Sequence, residues 1–173
     1  NINDYGLNMS FPVDSVRGQV AELYKNEESL NIKTAINSDV YLTPVLRGRH
    51  YLGASYSRNN YNLAMDPEEN KELLESFDRV YEGVFNSQSI SNTWVGFRAM
   101  SKDRVAIIGA VPNQKFFMEE YADINHGRKN KSYGQAQYLD GLYISAAHGS
   151  RGFTSSFLSA EIIAAQIAGE PVP

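Results

Sequence analysis

The sequence predicts an α+β fold in two parts: an antiparallel-sheet lobe carrying one helix over residues 1–100, then a strand-turn-helix segment over 101–173 of the kind that closes an α/β lobe. Three observations predict it. Extended stretches separated by turn residues fill the chain up to Tyr56, Asp66-Pro67-Glu68-Glu69 opens a helix, and two apolar runs, 105–111 and 141–147, precede a glycine-rich turn and a final helix.

Val16 to Tyr24 is extended and partly alternating, and Leu30 to Ile36, Val40 to Leu46 and Tyr51 to Tyr56 continue in the same manner. Asn37-Ser38 and Arg47-Gly48 suit tight turns, because Asn and Gly tolerate positive φ. The strands therefore pair in sequence. Asp66 caps a helix with Pro67 in its first turn and acids at its positive end, and Leu73, Leu74, Phe77, Val80, Tyr81 and Val84 extend an apolar face at helical spacing. After a polar loop over 86–91, Thr93 to Met100 reads as a strand. The run Val105 to Val111, ended by Pro112, predicts a strand buried on both faces, a short helix follows over 113–121, and 141–147 is a second buried strand. In the last helix Phe157, Leu158, Ile162 and Ile163 supply apolar contacts before Gly169 and Pro171 stop it.

Composition bounds the chemistry. At 173 residues with 42% hydrophobic and 21% charged residues the chain can bury a core, and disorder is excluded. The absence of cysteine removes disulfides, thiolate zinc sites and cysteine nucleophiles, and three scattered histidines argue against a metal. No apolar run approaches a membrane span, and Asn1 to Tyr5 carries no signal-peptide pattern, so the reading is a soluble, cytoplasmic protein without a membrane partner. The abrupt Asn1 suggests a processed chain or an excised piece of a longer one. A net charge of −4 argues against general polyanion binding. Two local basic clusters remain, Arg47, Arg49 and His50, and Arg128, Lys129 and Lys131, each open to reading as a solvated loop or as a local phosphate contact.

Chemistry concentrates in two places. His148-Gly149-Ser150-Arg151-Gly152 turns a strand into a helix, and backbone amides at such a start favour a negative or electron-rich ligand. It is neither a P-loop nor a Gly-x-Ser-x-Gly elbow, so Ser150 with His148 is a poor hydrolase pair. Arg98 interrupts an apolar stretch beside Trp94 and Phe97, where a guanidinium needs an acid such as Asp103 or an anionic ligand. Arg17 poses the same alternative, with the internal pair favoured. Tyr41, Tyr51 and Tyr56 on adjacent strands read as sheet packing in preference to a base-stacking platform.

Arg17-Gly18-Gln19, Tyr41-Leu42-Thr43-Pro44 leading to Gly53-Ala54-Ser55-Tyr56, and Val95-Gly96-Phe97-Arg98 through Asp103-Arg104 to Ile108-Gly109 resemble, in this order, the D-amino-acid-oxidase-like FAD oxidoreductases. The segment from Gly141 to Ser155, with His148-Gly149-Ser150-Arg151-Gly152-Phe153-Thr154, is similar to the C-terminal oxidoreductase part of the MnmC family of bifunctional tRNA 5-methylaminomethyl-2-thiouridine biosynthesis proteins. The resemblance covers residues 11–173 and departs in two ways. Ala99 and Ala106 stand where relatives commonly carry proline, and the Gly-x-Gly-x-x-Gly turn that grips the FAD pyrophosphate is missing. The expectation is a C-terminal fragment whose Rossmann half, together with the methyltransferase region, lies upstream.

What the resemblance implies is a FAD-dependent parent that converts 5-carboxymethylaminomethyl uridine at the tRNA wobble position to the aminomethyl form, hydride leaving the carboxymethyl carbon for the flavin and water splitting the imine to glyoxylate. Arg98 is then the main carboxylate anchor and Arg151 a second, while Gly149, Ser150, Gly152, Phe153 and Thr154 face the flavin pyrimidine edge. FAD is expected in the parent and not in the fragment alone. An oxidase of free glycine or another small amino acid, and a binding module without flavin, are the alternatives; the basic loop at 126–131 leans toward RNA.

Overall fold

The computed structural model describes residues 10–127 and 131–173. It divides into two compact units, Ser15–Arg98 on one hand and Ala99–Pro173 with residues 10–14 on the other.

In the unit Ser15–Arg98 a long strand, β1 (Val13–Tyr24), organises a sheet with β2 (Ile36–Asn37), β3 (Tyr41–Leu42), β4 (Arg49–Gly53) and β5 (Ser57–Arg58) in the order β2-β3-β4-β1-β5, and β6 (Ile90–Ser101) pairs with β1 as well. The hairpins between β2, β3 and β4 are sequential, as expected, but β1 pairs with β4 and not with β2. Arg47 and Gly48 take φ of 50° and 80° and close a two-residue turn in which Leu46 bridges to Arg49. The stretch predicted as a strand over 30–36 is instead a 3-10 turn, Ser29–Asn31, pinned by reciprocal bonds between Asn26 and Ser29, with only Ile36 entering a strand.

Helix α1 (Pro67–Asp78) starts as predicted, Asp66 accepting from the Glu68 amide at 2.9 Å. It stops six residues before Val84. Asp78 accepts from the amide of Gly83, which sits at φ 79°, so the chain turns away and leaves Val80 exposed while Val84 is buried beyond the helix. Leu73 and Phe77 of α1 pack with Ala21, Leu23, Leu42, Leu52, Val84 and Phe85 into the core of this unit. Each of these leucine, valine and phenylalanine side chains contributes about 1.5–3 kcal/mol by leaving water.

In the second unit β7 (Ile107–Pro112) pairs antiparallel with β8 (Tyr138–Ala146), and α3 (Gly152–Ala168) packs on both. Between them α2 (Gln114–Glu120) is capped by Asn113, which accepts from the Phe116 amide at 3.2 Å. The predicted double burial does not hold. Only Gly109 and Val111 of β7 are buried and no residue of β8 is, because these strands form a sheet of two; Val105 is exposed ahead of β7. The final helix differs in the same sense: Phe157 and Leu158 are exposed, while Ser159 and Ala165 are its buried residues. No helix among the described residues is long and apolar enough to cross a membrane.

Candidate substrate and cofactor sites

Alternation along β1 sends Arg17 to one face of the sheet and its neighbours to the other. Arg17 is 1% exposed. Its guanidinium pairs with Glu69 of α1 and donates to the carbonyls of Asn62 and Ala64, each at 2.7 Å, and to Gln19 Oε1 at 3.1 Å. Glu69 also accepts from Ser55 at 2.6 Å and Ser57 at 2.8 Å. Burial alone would raise the Glu69 carboxyl, but these hydroxyls and Arg17 outweigh it and hold it below the usual carboxylate value. Gln19 extends the network to the Asp66 carbonyl and to Asn70, which in turn donates to Thr93. Arg17 is therefore the structural member of the two arginines, and it ties α1 to the sheet.

Arg98 is held differently. It is half-buried on β6, its Nη1 donates to the carbonyls of Ser55 at 3.2 Å and Arg17 at 3.4 Å, and among the described residues no carboxylate pairs with it. The guanidinium lies flat against Gly18, where a Cβ would overlap Nη1, Nη2 and Cζ. Asp103, the acid expected as its partner, instead accepts from the Val105 amide at 3.0 Å and closes its own turn, the bond that chiefly lowers its carboxyl. The expected aromatic surround also differs, since Trp94 is 60% and Phe97 40% exposed.

Tyr41, read from sequence as sheet packing, lies within the field of the Arg98 charge. Its register opposite Gly53 lays the ring where a Cβ on Gly53 would stand, 2.8 Å from the phenol oxygen. Burial pushes the Tyr41 phenol up, and the Arg98 charge pulls it partly back. The signal was Gly53 opposite a tyrosine in a paired strand, visible only once the register is known. Arg98 thus has part of a planar fork not engaged by the Ser55 and Arg17 carbonyls, and its charge acts on the Tyr41 phenol.

The second cluster stands at the β8–α3 turn. Ala147 and Gly149 take φ of 59° and 58°, Gly149 packs on Met100, and the Arg151 amide donates to the His148 carbonyl at 3.0 Å. No side chain caps α3; Thr154 at 3.0 Å and Ser155 at 2.8 Å both donate to the Arg151 carbonyl instead. The first turn of α3 therefore carries no N-cap side chain on its amides, a kind of helix start that favours electron-rich groups. Ser150 and Arg151 are exposed, Gly152 half-buried, Thr154 exposed and Phe153 86% exposed.

The basic clusters fare less well as phosphate contacts. His50 is fully buried with Nδ1 2.8 Å from the Thr43 carbonyl, and Arg49 meets Glu22 at 3.5 Å and lies over the Tyr24 ring. Lys131 pairs with Asp123 at 2.8 Å, which raises it above the ordinary lysine value, while Arg128 and Lys129 lie outside the described residues. No group of three histidines, cysteines or acids that could hold a metal occurs among the described residues.

The family described as FAD dependent oxidoreductase (DAO) matches residues 3–166. This chain belongs to that family. Among curated relatives, the tRNA 5-methylaminomethyl-2-thiouridine biosynthesis bifunctional protein MnmC of Leptospira borgpetersenii serovar Hardjo-bovis (strain JB197) is 36% identical over 165 residues, covering 94% of this chain and 25% of the relative. MnmC of Legionella pneumophila (strain Corby) is 29% identical over 166 residues, covering 96% and 25%. The chain thus spans about a quarter of the length of these relatives. Two DAO folds among solved structures are iminodiacetate oxidase (IdaA) from Chelativorans sp. BNC1, with a TM-score of 0.71 at 19% identity over 96% of this chain and 39% of the other, and glycine oxidase from Geobacillus kaustophilus, with 0.67 at 17% over 94% and 37%.

The uncapped first turn of α3 fits the electron-rich edge of the cofactor named by the DAO family, with the amides of Gly152, Phe153 and Thr154 as the donors that would hold it. The pyrophosphate has no glycine-rich grip in this sequence.

Proposed function

We propose that this chain is the C-terminal part of a FAD-dependent enzyme that removes the carboxymethyl group from 5-carboxymethylaminomethyl(-2-thio)uridine at the tRNA wobble position, with upstream FAD-binding and methyltransferase regions completing it in the cytoplasm. Supporting this reading are the MnmC relatives matched along nearly the whole chain and, above all, Arg98: a half-buried guanidinium without a carboxylate partner among the described residues.

FAD, when bound, supplies the acceptor for the two electrons of the C–H bond next to the amine. The chain's own residues do the positioning. Arg98 binds the substrate carboxylate through the part of its fork not engaged by the Ser55 and Arg17 carbonyls, and those two carbonyls fix the plane of the fork. Tyr41, neutral at working pH, donates its O–H to the same carboxylate. The N-terminal amides of α3 stabilise negative charge at the flavin edge, and Arg151, exposed beside them, is a second anion anchor.

The test is Arg98→Ala in the full-length protein, with wobble nucleosides quantified by mass spectrometry. A charge-assisted bond is worth about 1.5–3 kcal/mol, so turnover should drop by about ten- to a hundredfold and the carboxymethylaminomethyl nucleoside accumulate. Unchanged nucleoside ratios remove Arg98 from the site. Glyoxylate release from free glycine, with none from the tRNA nucleoside, replaces the RNA substrate by an amino acid.

A further inference from the structure

Helical spacing puts Ser155 and Ser159 on one face of α3, and the antiparallel return of β8 brings Ser145 beneath it. His148 stands between them. Its Nδ1 is 2.8 Å from Ser155 Oγ and its Nε2 2.9 Å from Ser145 Oγ, while Ser145 Oγ is 2.5 Å from Ser159 Oγ, a side chain 1% exposed. Each hydroxyl has one proton, so with a neutral imidazole one known donor fixes the direction of every other bond. Ser155 donates its proton to the Arg151 carbonyl at 2.8 Å, so toward the imidazole it only accepts, and Nδ1 carries the hydrogen. Nε2 is then an acceptor, Ser145 donates to it, and Ser159 donates to Ser145. The result is one directed chain, Ser159 to Ser145 to His148 to Ser155 to the Arg151 carbonyl, joining the end of β8 to the first turn of α3 across the Gly149–Arg151 bend.

We propose that His148 is a positioning residue: as the Nδ1–H tautomer it sets the conformation of the turn that presents the α3 amides. Through Ser155 it governs the Arg151 carbonyl, and hence the peptide plane whose N–H belongs to Gly152. The inference rests on the reading above in which the flavin edge binds those amides. His148 touches no reacting atom in it.

Two measurements on the full-length protein test it. In long-range proton–nitrogen NMR spectra of histidine-labelled protein, with His148 assigned by its loss in a variant, Nδ1 should be the protonated nitrogen; a protonated Nε2 overturns the proposal. His148→Asn keeps a donor at the Nδ1 position, whereas His148→Gln loses that donor and Ser155→Ala loses the hydroxyl that accepts from it. Retention of flavin, read from visible absorbance during dilution, should stay near wild type in His148→Asn and weaken by up to about tenfold in the other two. Equal weakening in all three, or in none, makes His148 an ordinary structural residue. A colourless wild-type protein refutes the flavin reading itself, while a yellow one with unresponsive variants refutes only the role of His148.

Discussion

The guanidinium of Arg98 occupies the space that a side chain at Gly18 would need. The Gly18 backbone does not require positive φ, and the atoms nearest to where an alanine Cβ would stand all belong to the Arg98 guanidinium. Gly18→Ala should therefore push the guanidinium from its two carbonyls and mimic Arg98→Ala in nucleoside turnover, while costing about 1 kcal/mol of stability. Thermal melts and wobble-nucleoside ratios on the same samples check this. Wild-type turnover would mean that the seat of Arg98 is irrelevant to catalysis.

Tyr41→Phe keeps the ring over Gly53 and deletes the O–H in the field of Arg98. We expect a several-fold rise in KM with little change in melting temperature, in line with loss of one hydrogen bond of about 1 kcal/mol. The folded pKa of this tyrosine is raised, so its linked stability is fully present below the unfolded value of about 10 and is lost as pH rises through the folded value. In an absorbance titration near pH 10 and above, the variant should lack one late-titrating phenol. A full set of late tyrosines in the variant would contradict the assignment.

Acid should unfold the Ser15–Arg98 unit partly through Glu69. Its folded pKa is depressed, so the unfolded chain takes up the proton first: the contribution is complete above the unfolded value of about 4.3 and disappears as pH falls through the lower folded value. Denaturant midpoints measured from pH 6 downward should fall less steeply in Glu69→Gln than in wild type. At neutral pH that variant should be less stable by about 3–5 kcal/mol, since it strands Arg17 buried without its charge partner. Parallel acid slopes in the two proteins would place the acid sensitivity elsewhere.

Gly109 sits at φ 123° with Gln166 across from it, 3.1 Å from where a Cβ would stand, and Gln166 Oε1 accepts from the Ala110 amide at 3.0 Å. Gly109→Ala should destabilise the second unit by about 1–3 kcal/mol through backbone strain, and Gln166→Ala by about 1 kcal/mol through the lost bond. Calorimetric melts decide, and a neutral Gly109→Ala would show that the β7 backbone relaxes freely.

Signals that act over a few residues were legible without coordinates. The Asp66 cap, the Arg47-Gly48 hairpin, the strand-to-helix turn at Gly149 and the end of α3 near Gly169 all depend on local backbone preference, and the family could be read from motifs of similar length. Apolar runs misled at 105–111, 141–147 and Phe157, because a hydrophobic stretch records what a strand or helix can bury, and how much it does bury depends on the layers around it.

Sequence alone determined where α1 begins and where β8 turns into α3, and it singled out Arg17 and Arg98 as arginines that need a counterpart. Only the tertiary structure decided which arginine is satisfied internally: Glu69 lies 52 residues from Arg17 and reads in sequence as a helix-dipole acid, yet packing α1 on the sheet makes it an ion-pair partner. The same holds for Tyr41 beside Arg98 and for Ser145 and Ser159 around His148. Local propensity is written in neighbouring residues, whereas pairing between distant polar groups exists only after strand register and helix packing have brought them out of water together.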